Sequence, residues 1–158
     1  LELFYEEPKK WCFKLQLKMF IEKATQQQKM SNCILDRILQ ENYYVFTKNA
    51  LDAGFIDKPE YDLLTGNFSL VSKELQEPDI VIYLKRDVDQ LWKNIKKRGR
   101  EMESGVSKAY LDDLNKLYNT VMKSAFSHKM IVIDDCLDFE HDNDDFIKIT
   151  EKINKYGK

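Results

Sequence analysis

Ile80-Val81-Ile82-Tyr83-Leu84 is an unbroken apolar run, followed at once by Lys85-Arg86-Asp87. Continuous rather than alternating apolarity marks a strand whose sheet is covered on both faces. Asp87 and Gln90 then carry the D-x-x-Q spacing of a capping box, and Val88, Leu91, Trp92 and Ile95 give the following helix a buried side before Gly99 ends it. The same alternation extends outward in both directions. Downstream, Ser107 caps a helix with the stripe Tyr110, Leu114, Leu117 and Val121, Met130-Ile131-Val132-Ile133 reads as a strand ending in Asp134-Asp135, and Phe146, Ile149 and Ile153 mark a final helix. Upstream, Cys33-Ile34-Leu35 reads as a buried strand that emerges at Asp36-Arg37. A long helix from Pro8 to about Lys29 precedes it, with Phe13, Leu17, Phe20 and Ala24 inward and Gln16, Met19 and Lys23 on an adjacent face. Between the first two strands come a helix from Leu39 to Ala53, turned inward by Leu39, Tyr43, Phe46 and Ala50 and stopped at Gly54, and another from Pro59 toward Leu75. Strands separated by helices lie parallel, so the expected class is α/β, a parallel sheet with helices on both faces.

Composition narrows the function. The 158 residues are 43% apolar and 33% charged, with a net charge of −2, which fits one globular domain over residues 1–158 and excludes a disordered chain. No apolar stretch reaches the roughly 18 residues of a membrane span and no signal peptide is visible, so a soluble, cytoplasmic protein is expected, without membrane partners. A pI near 5.8 argues against nucleic-acid binding. Cys12, Cys33 and Cys136 read as reduced core thiols, and two histidines leave little for a metal cluster. Residue 1 is Leu rather than Met, so the chain reads as a piece of a longer protein, and three strands make a thin sheet for its helices.

In parallel sheets, ligand-binding groups gather at the carboxyl ends of the strands. Here those ends carry Asp36-Arg37, Lys85-Arg86 and Asp134-Asp135, a mixture suited to metal and phosphate. The segment Lys93-Asn94-Ile95-Lys96-Lys97-Arg98-Gly99-Arg100 places five cations within eight residues. It reads either as a solvated helix end or as an arginine clamp on a transferring phosphoryl group. Glu101 and Glu103, which follow at once, suit a lid that recognises both phosphate and sugar hydroxyls.

Three strings, taken together, resemble the deoxyribonucleoside kinase family, in particular its bacterial deoxyadenosine/deoxyguanosine kinase branch and deoxycytidine relatives. They are Tyr5-Glu6-Glu7-Pro8-Lys9-Lys10-Trp11-Cys12-Phe13-Lys14-Leu15-Gln16, then Asp36-Arg37 with Asn42 and Phe46, then Arg98-Gly99-Arg100-Glu101-Met102-Glu103-Ser104-Gly105 with Tyr110-Leu111. The resemblance implies a P-loop kinase fold, here lacking the N-terminal phosphate-loop strand and helix, whose missing strand would lie between those containing Ile34 and Ile80. It implies that Tyr5 and Glu103 hold the sugar 3′-hydroxyl, that Gln16 reads the base edge beside Met19, Lys23 and Asn42, and that Phe46 stacks on the base. Asp36 would help hold Mg²⁺, Arg37 the 5′ oxygen, Arg98 and Arg100 the transferring phosphoryl group, and Asp138-Phe139 the adenine of ATP. Asn94, Lys23, Asn42 and Ile38 depart from the family pattern, where an arginine, an arginine, an aspartate and a small hydroxyl residue are usual.

The expected activity is transfer of the γ-phosphoryl group of ATP to the 5′-hydroxyl of a deoxyribonucleoside, with deoxyadenosine first among substrates, by a homodimer. Residues 1–158 alone are expected to be inactive. The rival readings are a nucleoside monophosphate kinase of thymidylate-kinase type and a catalytically inactive relative acting as a binding or dimerisation subunit.

Overall fold

The computed structural model describes residues 1–29, 31–126, 128–133, 137 and 141–156. The predicted donor-site residues Asp138 and Phe139, like Cys136 and the strand end Asp134-Asp135, lie outside the described residues. The chain opens with α1 (Glu2–Glu6) and α2 (Pro8–Gln28). A single helical run, α3, follows in three parts: Leu39–Glu41, a π-helical segment Asn42–Thr47, and Lys48–Asp52. Next come α4 (Lys58–Val71), β1 (Val81–Leu84) and α5 (Val88–Arg98). A 3₁₀ turn at Glu101–Glu103 leads to α6 (Lys108–Leu117), which continues through π-helical Tyr118–Met122 into Lys123–Phe126. Strand β2 (Met130–Ile133) and α7 (Asn143–Tyr156) complete the fold.

Local chemistry explains most boundaries. Asp57 and Glu60 form a reciprocal capping box at the start of α4. Ser107 accepts from the Tyr110 amide at 3.1 Å. At α5 only half of the expected box forms: Asp87 accepts from the Gln90 amide, whereas the Gln90 side chain donates to Asn94 instead. Gly54 and Gly99 end their helices at φ +66° and +62°, backbone that a side chain would strain.

β1 and β2 pair in parallel, Val81 with Met130 through to Leu84 with Ile133. Met130, Ile131 and Ile133 of β2 are buried, but β1 is covered on one face only, leaving Ile82 and Leu84 exposed. Cys33-Ile34-Leu35 is not a strand: no described strand runs beside it, and a strand is held only by its neighbour's hydrogen bonds. Ile34 is fully exposed and Cys33 is exposed too, so neither is the core residue expected from its apolar neighbours.

Helix α3 is the spine of the molecule. Ala50 joins Phe4, Cys12, Ile56 and Leu64 in one apolar cluster, Leu39 joins Phe20, Phe68 and Leu75 in a second, and Val45 joins Phe126 and Met130 beneath the sheet. The buried face of α2 runs through Cys12, Gln16, Phe20 and Gln27, displaced from the expected Phe13, Leu17 and Ala24, which are only half-buried. Two glutamines thus enter the interior. The final helix marked by Phe146, Ile149 and Ile153 is present as α7, with Phe146 exposed on it.

Candidate active site

The segment after α2 is bent into place by backbone and by one amide. Asn32 and Arg37, at φ +47° and +69°, bracket it with left-handed turns. Gln27, with no exposed surface, accepts from the Leu39 amide at 3.1 Å and donates to Gln40 and to the Gln76 carbonyl, tying the start of α3 to α2. Lys23 donates to the Asp36 carbonyl at 2.5 Å. Lys23 also donates to Gln26 Oε1 at 3.2 Å. Asp36 itself is exposed. The Arg37 guanidinium lies over the Phe46 ring at 4.7 Å, and its Nε is 3.7 Å from Glu41 Oε1.

One turn along α3 lies a buried pair of amides. Gln16 Oε1 accepts from Asn42 Nδ2 at 3.4 Å and from the Thr47 hydroxyl at 3.3 Å. Both amides are buried, at 6% and 5% exposure. The π-helical turn brings Asn42 and Thr47, five residues apart, toward the same partner, and Thr47 also donates to the Asn42 carbonyl. Beneath them burial pushes the Cys12 thiol up to about 11, opposed by a hydrogen bond with Gln16. Met19 is half-buried, three residues beyond Gln16 on α2.

The segment after α5 folds back on itself. Arg98 donates through Nε and Nη2 to Glu103 Oε2, at 3.1 and 2.5 Å, and Arg100 approaches Glu103 Oε1 at 3.7 Å. Of the two carboxylates that follow the cationic segment, Glu103 is the buried one that engages both arginines. Tyr5 shares this neighbourhood. Burial raises its phenol and Glu103 raises it further, while Arg37 and Arg98 pull it down. Tyr110 is likewise raised by burial and by the nearby Tyr5, with Arg37 opposing. Tyr5, Arg37, Arg98, Glu103 and Tyr110 therefore sit within one electrostatic neighbourhood although they come from three separate stretches of chain, around residues 5, 37 and 98–110.

Other expectations are not assembled in this way. Among the described residues no group of three His, Cys, Asp or Glu side chains could hold a metal ion. A magnesium ion needs only one or two carboxylates when phosphate oxygens and waters complete its shell, so exposed Asp36 fits that role singly. Two surface hollows, of about 470 and 330 Å³, are lined around Asp87 to Lys93 and around Asn49 and Lys116; Lys93 belongs to the cationic segment, and Tyr5, Gln16, Arg37, Phe46 and Glu103 line neither. Sequence reasoning missed Gln27, Glu41, Thr47 and Tyr118. Of these only Glu41 had a local signal, its i,i+4 spacing from Arg37.

A family model described as deoxynucleoside kinase matches residues 1–157. The deoxyadenosine/deoxycytidine kinase of Bacillus subtilis is 30% identical over 124 residues, covering 75% of this chain and 57% of that protein. The chain spans 51% of the Dictyostelium discoideum deoxyadenosine kinase and 62% of Gallus gallus deoxycytidine kinase 2. It is 31% identical over 176 residues to the deoxyguanosine kinase of Lactobacillus johnsonii, covering 78% of it. Among solved structures, deoxyadenosine kinase from M. mycoides with dCMP and dCDP superposes with a TM-score of 0.82 at 31% identity, over 98% of this chain and 78% of that one. The same enzyme with bound dATP gives 0.78 at 30% identity, over 97% and 79%.

Proposed function

The chain belongs to the deoxynucleoside kinase family, and from that premise we propose that its protein transfers the γ-phosphoryl group of ATP to the 5′-hydroxyl of a deoxyribonucleoside. One observation carries the reading to this chain: Asn42, whose buried amide pairs with Gln16 of α2, and Phe46 lie on one helical run, and Phe46 carries the Arg37 guanidinium, which shares its neighbourhood with Tyr5 and Glu103. Such a layout offers an aromatic face and amide edges for a base, a phenol and carboxylate for a sugar, and guanidinium groups for a phosphoryl group.

In the proposed reaction Phe46 and the amide pair fix the base, while Tyr5 and Glu103 hold the 3′-hydroxyl. This geometry keeps the 5′ oxygen near Arg37, whose guanidinium offsets the charge that develops as the phosphoryl group moves. For Arg98 and Arg100 to join it, Glu103 must exchange its arginine partners for the sugar. Asp36 would hold a magnesium ion, which would offset the negative charge of the phosphates. Asp138 and Phe139 remain proposed for the donor base, and a further strand is proposed to pair with the edge of β1 that faces away from β2. A homodimer is proposed as well, and Leu63 and Leu70, exposed along one side of α4, offer apolar surface for it.

The amide pair supports an order of substrates. With Gln16 Oε1 occupied by Asn42 and Thr47 and one Nε2 hydrogen turned to Cys12, the second Nε2 hydrogen is left to donate and Asn42 Oδ1 to accept. Adenine and cytosine present the complementary ring nitrogen and amino group. The full-length gene product, given ATP, Mg²⁺ and each of the four deoxynucleosides in turn, should form deoxyadenosine monophosphate fastest. Formation of none of the four monophosphates would overturn the proposed activity. A thymidine preference above about tenfold, near 1.4 kcal/mol, would overturn only the base assignment.

A further inference from the structure

We propose that Glu41 is a positioning residue for Arg37, gripping the guanidinium by its Nε edge so that the terminal fork stays available to the phosphoryl group. This rests on the proposed activity and adds to it two residues, Glu41 and Tyr118, that family resemblance did not supply.

Arg37 occupies a conformation that a side chain does not choose for itself. At φ +69° it lies in the left-handed region, which costs a residue with a Cβ roughly 1–2 kcal/mol unless the surroundings hold it there. Two contacts do so. The Phe46 ring supports the flat face of the guanidinium at 4.7 Å, and Glu41 Oε1 approaches its Nε at 3.7 Å. Among the described residues no hydrogen bond occupies Nη1 or Nη2, so the two terminal nitrogens retain the planar fork that matches two phosphate oxygens.

Glu41 is itself held. Its side chain is only 13% exposed, and the Tyr118 hydroxyl donates to the same Oε1 that faces Arg37. Tyr118 is fixed in turn, stacked on Tyr83 of β1 at 5.8 Å and meeting Phe46 edge to face at 6.2 Å. The arrangement joins two π-helical segments, one carrying Phe46 and the other Tyr118, across 77 residues of sequence between Glu41 and Tyr118. Such segments accommodate side chains at functional sites that a regular helix would turn elsewhere. Burial lifts the Glu41 carboxyl above the usual range against the pull of Tyr118 and Arg37. A buried carboxylate without those two partners would be costly, and its retention beside the predicted phosphoryl-binding arginine is what a positioning role explains.

A double-mutant cycle on the full-length gene product tests this. Glu41→Gln keeps an oxygen for Tyr118 and removes the charge that holds Arg37. It should lower kcat about tenfold, leave the deoxynucleoside KM within about twofold, and do nothing further once Arg37 is alanine. Tyr118→Phe, which leaves the charge but frees the carboxylate to swing, should show a smaller loss of the same kind and the same silence in the Arg37→Ala background. Equal losses from Glu41→Gln in both backgrounds, or no loss in the parent, would overturn the inference. The same cycle read by calorimetric binding of deoxyadenosine monophosphate needs no turnover. If no deoxynucleoside were phosphorylated but Glu41→Gln weakened monophosphate binding only where Arg37 is present, the kinase reading would fall and the positioning role would stand.

Discussion

Arg37 and Arg98 have nearly the same surroundings by burial: the arginines are 48% and 47% exposed, and their carboxylate partners Glu41 and Glu103 are 13% and 11% exposed. Their geometry differs. Arg98 commits Nε and Nη2 to its carboxylate, whereas the nearest approach of Arg37 is at Nε and 3.7 Å. Beside Arg98 the left-handed turn falls on Gly99, which adopts it freely; at the other site the arginine itself takes that turn. One ion pair is thus closed and unstrained, the other open and strained. Closed pairs stabilise a loop, and open ones keep a charge in reserve for a ligand.

The largest effect that would break this contrast is at the open site. Arg37→Ala should lower kcat by about 100-fold or more with a small change in KM, since the guanidinium acts on charge present mainly in the transition state. A variant with unchanged kcat would place Arg37 outside the chemistry. Arg98→Ala should do less to kcat and more to the fold, because it removes the main partner of a buried carboxylate, at a cost of about 1–3 kcal/mol in a denaturant titration. Arg100→Lys should retain part of what Arg100→Ala loses, because a point charge replaces a fork.

Backbone substitutions sharpen the same comparison at smaller scale. Gly99→Ala should destabilise by about 1 kcal/mol, whereas Arg37→Gly should be more stable than Arg37→Ala by about the same amount, because glycine adopts positive φ without cost. Equal melting temperatures for Arg37→Gly and Arg37→Ala would remove strain from the account. The smallest effect concerns pH. Burial raises the Glu41 carboxyl in the folded protein, so the folded state binds its proton more tightly than the unfolded chain does. The contribution is fully present below the ordinary glutamate value of about 4.3 and is lost as pH rises through the raised one. Stability of the parent should therefore fall relative to Glu41→Gln across that rise, with Arg37, Lys23, Asp36 and Tyr118 as the groups that modulate it. Parallel stability curves for the two proteins would contradict the shift.

Signals that act within a few residues were readable in the chain. Gly54, Asp87, Gly99 and Ser107 punctuate helices where their chemistry requires, and Met130–Ile133 is the strand that its apolar run describes. Cys33-Ile34-Leu35 has equally apolar residues but no described neighbour to pair with, and strand pairing is a property of two segments rather than one. The predicted inward stripe of α2 failed for a related reason: Gln16 and Gln27 are buried because partners on α3 satisfy their amides, and those partners lie at least 12 residues away in sequence. Within the candidate site, Tyr5, Gln16, Arg37, Asn42, Phe46 and Glu103 were readable as a family pattern. Thr47 and Tyr118 were not, since each enters through a π-helical turn that a 3.6-residue period misplaces.

The central claim is that these separated residues form one deoxynucleoside site. A crystal structure of the full-length gene product with deoxyadenosine and a non-hydrolysable ATP analogue tests it most directly. The account predicts the adenine against Phe46 with Gln16 Nε2 and Asn42 Oδ1 at its edge, the 3′-hydroxyl between Tyr5 and Glu103, and the Arg37 fork facing the 5′ oxygen. A nucleoside bound elsewhere, or one whose base makes no contact with Gln16 or Asn42, would contradict it.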